Sequence, residues 1–438
     1  MLTIASLANQ YPSPVEPYVG EEIEELRRRG FRVVSGSVRK PRTKQEQVLA
    51  AKSAPEVVLL PPQGMVLLRA AWLCALRWNR ISSLIMRVLF CGSESPLQRV
   101  KALAHTWIGA CYAVLLEERG VDHIHVHHGY FGSWIAMVAS RLMGVQFTMT
   151  LYGSDLLLHG TYLDVKLANC MLCSTVSEYN RQYILEHYPG VAPEKVVVSR
   201  MGVDVSEIKP SPPARSKSRG PKFTLVAVGR LHVVKDQGFL VRACAELCAR
   251  DVDVECFIAG SGPERSRLEV LIRKCGLKER VTLLGYVPNE QMDSLYARAD
   301  VVVLTSRSEG IPLVLMEAMA RGKIVLAPAI TGVPELVLAG KTGFLYEPGS
   351  IADFVERLIF IRSLIRAENG LERGHPELHP YFVSAAKQLD WMRHASRVHV
   401  RHNFNRKKNL ESFCDLLTQR IAPQTASTLH EDLILQQI

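Results

Sequence analysis

Two kinds of apolar run take turns along this chain. Strand-like runs cover Leu2–Leu7, Arg32–Ser35, His123–His127, Phe147–Leu151 and Cys170–Val176, each bounded by turn residues. Between them apolar positions recur at helical spacing, as over Glu21–Arg29 and from about Ser133 onward. This alternation predicts a parallel sheet with crossover helices. It happens twice. The first series closes with Val196–Ser199; the second opens with Phe223–Val228 and runs through Val254–Ala259, Val281–Leu284, Val301–Thr305, Ile324–Ala327 and Gly343–Tyr346. Between the two lies Lys209–Lys222, polar and proline-rich, with little to contribute to a core, and it is the predicted linker. Trp391–Ile421 predicts a helix carrying Arg397, Arg401, His402, Arg406, Lys407 and Lys408.

A chain of 438 residues also exceeds what one core usually supports, roughly 250 to 300 residues. The predicted organisation is α/β: a Rossmann-like domain over 1–208, a linker at 209–222, a second Rossmann-like domain over 223–390, a helix at 391–421 packing back on the first domain, and a tail at 422–438. Doubly wound sheets bind ligands at the carboxyl ends of their strands, so two such domains facing across a cleft would enclose a nucleotide-sized molecule.

Composition narrows the function classes. With 47% apolar and 22% charged residues the chain is neither disordered nor collagenous. A net charge of +10 favours anionic partners, either phosphorylated small molecules or an acidic membrane surface. Nucleic acid is not expected, because no basic stripe interleaved with aromatics and no reading module is present. The ten cysteines sit mostly in apolar segments and predict free thiols in a reducing compartment. Cys170 and Cys173 form a C-x-x-C on a strand, where positions three apart face opposite sides, so no metal or redox pair is expected there. The start of the chain lacks the pattern of a signal peptide. The best apolar segment, Met65–Trp78, is broken by Arg69 and Arg77 short of the ~18 residues of a span. A cytoplasmic protein is therefore predicted. Between Pro61 and Arg119, arginines alternate with Trp72, Trp78 and Trp107 in helical segments, a pattern that suits an anionic bilayer surface or plain packing.

The strongest chemical signal follows the run Val301–Thr305. Glu309 falls in a loop, Gly310 allows close backbone approach, Pro312 suits a helix start, and Glu317 falls inside that helix. Unpaired amides over Gly310, Ile311 and Leu313 favour an anion, leaving the two carboxylates for hydroxyl groups. After Phe223–Val228 come Gly229, Arg230 and Lys235, a fork and a point charge suited to a diphosphate. Gly260 and Gly262 open the loop after Val254–Ala259.

The segments Gly229-Arg-Leu, Ala259-Gly-Ser-Gly-Pro, Glu309-Gly-Ile-Pro-Leu-Val-Leu-Met-Glu-Ala-Met-Ala and Gly332-Val-Pro-Glu-Leu-Val, in this order, resemble family 4 retaining glycosyltransferases, densely from Phe223 to Pro348 and more loosely before Pro210. Before Pro210 the pattern is similar to exopolysaccharide and colanic-acid-type members. The resemblance implies the GT-B fold and transfer of a sugar from a nucleoside diphosphate donor, UDP favoured over GDP, to a glycan or lipid-linked acceptor, with no metal and no cofactor. It implies that Arg230 and Lys235 bind the diphosphate, Glu309 the sugar hydroxyls and Glu317 the ribose. Tyr152-Gly153 stands where many members have His-Gly, so His127 is the substitute catalytic candidate, and Tyr11, Glu16, Tyr152 and Asp155 complete the acceptor-side candidates.

Other readings compete. His123, His125 and His127 share a strand face at a spacing that suits zinc, but no further ligand is evident in the sequence, and no metal is expected. Asp251-Val-Asp253 precedes a strand and predicts a turn. A non-catalytic GT-B binding protein and a sugar-nucleotide epimerase are the alternative functions.

Overall fold

The computed structural model describes residues 1–13, 16–40, 47–48, 51, 53–210, 222–369 and 379–435. The chain forms two compact units, one of residues 1–199 with 410–438 and one of residues 200–409.

Unit 1 holds seven strands: β1 (Thr3–Gln10), β2 (Arg32–Arg39), β3 (Val57–Leu60), β4 (His123–His127), β5 (Gln146–Leu151), β6 (Leu172–Thr175) and β7 (Val196–Val198). They pair in parallel in the order β3-β2-β1-β4-β5-β6-β7. Unit 2 holds β8 (Phe223–Val228), β9 (Val254–Ala259), β10 (Val281–Gly285), β11 (Val301–Val303), β12 (Ile324–Pro328) and β13 (Phe344–Tyr346), parallel in the order β10-β9-β8-β11-β12-β13. In each sheet the order reverses beside the first strand, between β1 and β4 and between β8 and β11. Those reversals are the crevices where doubly wound sheets take ligands.

Period-two alternation explains why each sheet is covered on both faces. On β8, Phe223, Leu225 and Ala227 join one core cluster while Val226 joins another; on β11, Val301 and Val303 divide from Val302 in the same way. Near-continuous apolar runs such as β11 are thus favoured by helices on both sides, and the polar exceptions, Thr224 on β8 and the histidines of β4, are buried. The helices Gly64–Leu76, Trp78–Phe90 and Pro96–Glu117 follow β3 in unit 1, and a capping box at Ser95 with Gln98 starts the third.

Two expectations differ from the structure. β3 is a strand the sequence reading does not contain. The predicted single helix at 391–421 is two, His379–Asn403 and Arg406–Leu435, interrupted where Val203 and Asn405 form a parallel bridge. Only the second helix packs on unit 1, through Phe413, Cys414, Leu417 and Ile421 against Ile4, Val19 and Ile23; the first contributes Leu389 and Met392 to unit 2. Of the predicted linker, residues 211–221 lie outside the described residues.

Candidate functional site

The reversal between β8 and β11 gathers the predicted donor residues of unit 2. Gly229 and Arg230 leave the end of β8, and Arg230 is exposed. Lys235 Nζ donates to Glu309 Oε1 at 2.6 Å, joining the loop after β8 to the loop after β11. Both loops are held at the backbone: Thr305 Oγ1 donates to Lys235 O at 3.0 Å, and Thr331 Oγ1 donates to Glu309 O at 2.6 Å. Gln237 Nε2 donates to Arg230 O at 2.8 Å. The helix Leu313–Ala320 starts at Pro312 with no side-chain cap, while Leu315 and Met316 N–H groups close on Pro312 O. Its first amides therefore have no intrahelical carbonyl and present partial positive charge beside Lys235 and Glu309.

Glu317 lies within that helix and is half-buried. Burial is the main reason its carboxyl is held above the usual range; Tyr296 partly opposes this by donating to Glu317 Oε2 at 2.7 Å. Tyr296, on the helix Asn289–Arg298, is a partner of this candidate residue that no local sequence motif marks.

Gly260 and Gly262 have a firmer role than opening a loop. A Cβ on Gly260 would lie 1.9 Å from Gly229 O, and one on Gly262 would lie 2.3 Å from Leu231 O. The two glycines let the loops after β8 and β9 abut, with Leu231 N donating to Ser261 O at 2.9 Å.

In unit 1 the reversal between β1 and β4 brings together Glu16, Tyr18, His128 and Tyr152. His128 adopts the left-handed backbone, φ 71°, and its Nε2 lies 3.0 Å from Glu16 Oε1. Its Nδ1 lies 3.7 Å from Asp155 Oδ2. Burial lowers the imidazole's proton affinity, but Asp155 and Glu16 outweigh it and lift the pKa to about 9. The sequence reading missed His128; a non-glycine residue before Gly129 at a strand's carboxyl end was the available signal. Asp155 is turned inward, accepting from Gly129 N at 2.9 Å and Gly153 N at 2.8 Å, so it clamps two loops. Tyr11 is buried in the core, its N–H donating to Ser37 Oγ at 2.9 Å. His127 is fully buried, with Nδ1 2.9 Å from the Tyr152 hydroxyl and Nε2 directed at Glu22.

The weaker motifs resolve as local structure. Cys170 and Cys173 are free and buried, and burial pushes the Cys170 thiol up to about 12. Asp251 sits in a turn at φ 57°, and Asp253 accepts from Arg280 at 2.5 Å.

Residues 209–368 match the model of the family "Glycosyl transferases group 1". This stretch is similar to that family. The WcaL protein of Salmonella typhimurium, named for colanic acid biosynthesis, is 36% identical over 176 residues, 39% of this chain and 42% of that one. Alpha-D-kanosaminyltransferase of Streptomyces kanamyceticus is 38% identical over 135 residues, 30% of this chain and 35% of that one. The matched stretches thus span less than half of these relatives' length. Two solved structures match nearly throughout. Anabaena HepE, in complex with UDP and glucose, has a TM-score of 0.64 at 19% identity, covering 96% of this chain and 100% of that one. Sucrose-phosphate synthase of Thermosynechococcus elongatus has a TM-score of 0.69 at 17% identity, covering 97% and 100%. The fold these likenesses show is GT-B.

Proposed function

We propose that this protein is a retaining glycosyltransferase that moves a sugar from a nucleoside diphosphate donor, UDP favoured over GDP, to a glycan or lipid-linked acceptor in surface polysaccharide synthesis. The observation that carries the reading is the Lys235–Glu309 pair, 2.6 Å apart at the sheet reversal beside uncapped helix amides. A diphosphate needs cationic and amide donors, and the sugar next to it needs an anchored acceptor for its hydroxyls. This arrangement supplies both within one loop pair.

Arg230 and Lys235 take up the charge that develops on the departing diphosphate, so no metal is needed in the transfer step. Glu309, fixed by Lys235 and by its own carbonyl's bond to Thr331, orients the sugar. Glu317 receives the ribose hydroxyls. Catalysis is then mainly positioning and charge stabilisation. On the acceptor side, Glu16, Tyr18 and His128 at the β1–β4 reversal bind the incoming hydroxyl, with His128 taking the place at the reacting edge that His127, turned into the core, does not reach. UDP in complex with HepE and the biosynthetic name of WcaL support the donor class and the pathway.

Next to that edge is a cavity of about 280 Å³ lined by Phe131, Trp134, Tyr162, Lys101, His105 and Lys166. Apolar walls with Lys101 suit a lipid-linked phosphate, the Lys166 ammonium being engaged by the carbonyls of Gly129, Tyr130 and Thr161. Three exposed apolar stripes nearby in the sequence suit a membrane surface: Met65, Leu68, Trp72 and Leu76; Trp78, Met86, Leu89 and Phe90; Leu97, Val100 and Trp107. No helix among the described residues is long and apolar enough to cross a membrane.

Thermal-shift titration with UDP- and GDP-sugars tests the donor class. A UDP-sugar should raise the melting temperature, and a lack of response to every nucleotide sugar defeats the reading. Glu309→Gln should lower transfer by about a hundredfold while preserving the fold, in keeping with loss of a charge-positioning group. Unchanged transfer in that variant would remove Glu309 from the site.

A further inference from the structure

In unit 1 the helix Pro17–Arg28 lays Val19, Ile23 and Leu26 against the sheet, and a glutamate, Glu22, interrupts this apolar stripe. From β4, His125 and His127 project to the same face, since alternate strand residues share a side. His125 Nε2 lies 3.3 Å from Glu22 Oε1, and His127 Nε2 lies 3.5 Å from it. One ligand atom from each residue falls within 4.8 Å of the other two. All three side chains are buried.

We propose that Glu22, His125 and His127 form a structural site for a divalent metal of the zinc class. The geometry of the ring nitrogens supports this. His125 Nδ1 lies 2.8 Å from Thr148 Oγ1, and His127 Nδ1 lies 2.9 Å from the Tyr152 hydroxyl. When each Nδ1–H donates to its hydroxyl, each ring turns an Nε2 lone pair toward the Glu22 carboxylate, so three acceptors converge; the Thr150 hydroxyl, 3.4 Å from His125 Nε2, is a long hydrogen-bond partner of that one nitrogen. Metal-binding histidines are held in this way, the far nitrogen fixed by an outer hydrogen bond. Glu22 Oε1 and His127 Nε2 make no hydrogen bond, although both are buried. Zinc takes nitrogen and oxygen ligands at about 2.0–2.1 Å, which sets tetrahedral ligand atoms about 3.3–3.4 Å apart. Of the separations at Glu22 Oε1, that to His125 is 3.3 Å and that to His127 is 3.5 Å, the first of that size and the second slightly longer. His123, the third histidine of the face, is outside the site; its Nε2 lies 3.0 Å from Thr148 Oγ1.

A ligand set of two histidines and one carboxylate leaves a fourth position for water. Phe413, on the helix Arg406–Leu435, lies with its ring centroid 5.6 Å from that of His125 and covers the site. A bound metal would therefore exchange slowly. Its role is to hold the helix Pro17–Arg28 to β4, next to the loop that carries Glu16. The alternative occupant is a proton: without metal, burial keeps the Glu22 carboxyl protonated up to about pH 8.

The test uses the full chain without a polyhistidine tag, purified without chelator and assayed for metal by mass spectrometry. It is then stripped in denaturant with dipicolinate and refolded with or without Zn²⁺ or Co²⁺. The proposal expects stoichiometric divalent metal, the visible absorption of tetrahedral cobalt after reconstitution, and a melting temperature several degrees higher with Zn²⁺ than without. Glu22→Gln and His125→Gln should each lose metal and cobalt absorption. Should one fail to fold, the other and the metal content of the parent protein decide. A metal-free parent whose melting does not respond to either ion overturns the proposal in favour of a protonated Glu22. Metal retained at full stoichiometry in both variants overturns it in favour of adventitious binding elsewhere. These readouts involve no sugar donor, so they are independent of the glycosyl-transfer reading.

Discussion

At the residue scale, Glu317 joins stability and function with opposite signs. Its folded carboxyl is held above the ordinary carboxylate range chiefly by burial. The folded state therefore keeps its proton where the unfolded chain has lost one, and stability falls as pH rises from the ordinary value through the raised one. Glu317→Gln should remove that dependence: in urea unfolding without ligand, the variant gains on the parent as pH rises above the ordinary carboxylate range. Donor affinity should meanwhile drop about tenfold, because a charged acceptor for ribose hydroxyls is gone. A variant that binds donor as tightly as the parent would show that Glu317 serves only packing. Glu309 and Glu317 were legible as candidates because one loop and one helix hold them in a single stretch. Tyr296 and Glu22 were not. The first meets Glu317 from another helix, while the second occupies a helical stripe whose other members are apolar. That break in the stripe was visible, but its histidine partners lie a hundred residues downstream on β4, and only the sheet order brings them together.

At the scale of elements, strands were legible to within a few residues because helices cover both sheet faces and leave little room for polar positions. β3 escaped because Val57–Leu60 is a short edge strand. The break in the C-terminal helix escaped for another reason: Phe404 and Asn405 are not helix breakers, and the interruption is imposed by tertiary pairing. Val203 N donates to Phe404 O at 3.0 Å, and Arg406 N donates to Val203 O at 3.1 Å. Gly202 makes that pairing feasible, since a Cβ there would lie 2.4 Å from Phe404 O and 2.5 Å from Arg406 N. Both obstacles are backbone, so neither can swing aside. Gly202→Ala should cost about 1–3 kcal/mol in urea unfolding, the usual penalty of forced overpacking. Its far-UV circular dichroism should show more continuous helix if the bridge is what interrupts the C-terminal segment. A variant of parental stability would mean the bridge contributes nothing.

At the scale of the whole molecule, the net charge of +10 invited an electrostatic account of membrane contact, and the structure changes its basis. Arg69 pairs with Glu118, Arg77 with Glu117, and Arg87 with Glu94 and Asp164. Arg99 donates to the carbonyls of Val88, Leu89 and Gly92. These cations are already engaged within unit 1, and each basic side chain near an anionic surface adds only about 1 kcal/mol even when available. The apolar stripes offer more: Leu68 and Trp72 are 69% and 67% exposed, and each withdrawn from water is worth about 2 kcal/mol. Vesicle sedimentation should therefore show binding that survives physiological salt with less than about a tenfold loss. The double variant Leu68→Ser with Trp72→Ser should lower partitioning by roughly a thousandfold at unchanged stability, since both side chains already face solvent. Binding that salt abolishes and the double variant leaves intact would return the interaction to charge. No binding to anionic vesicles would end the membrane reading and leave the exposed stripes to a protein partner.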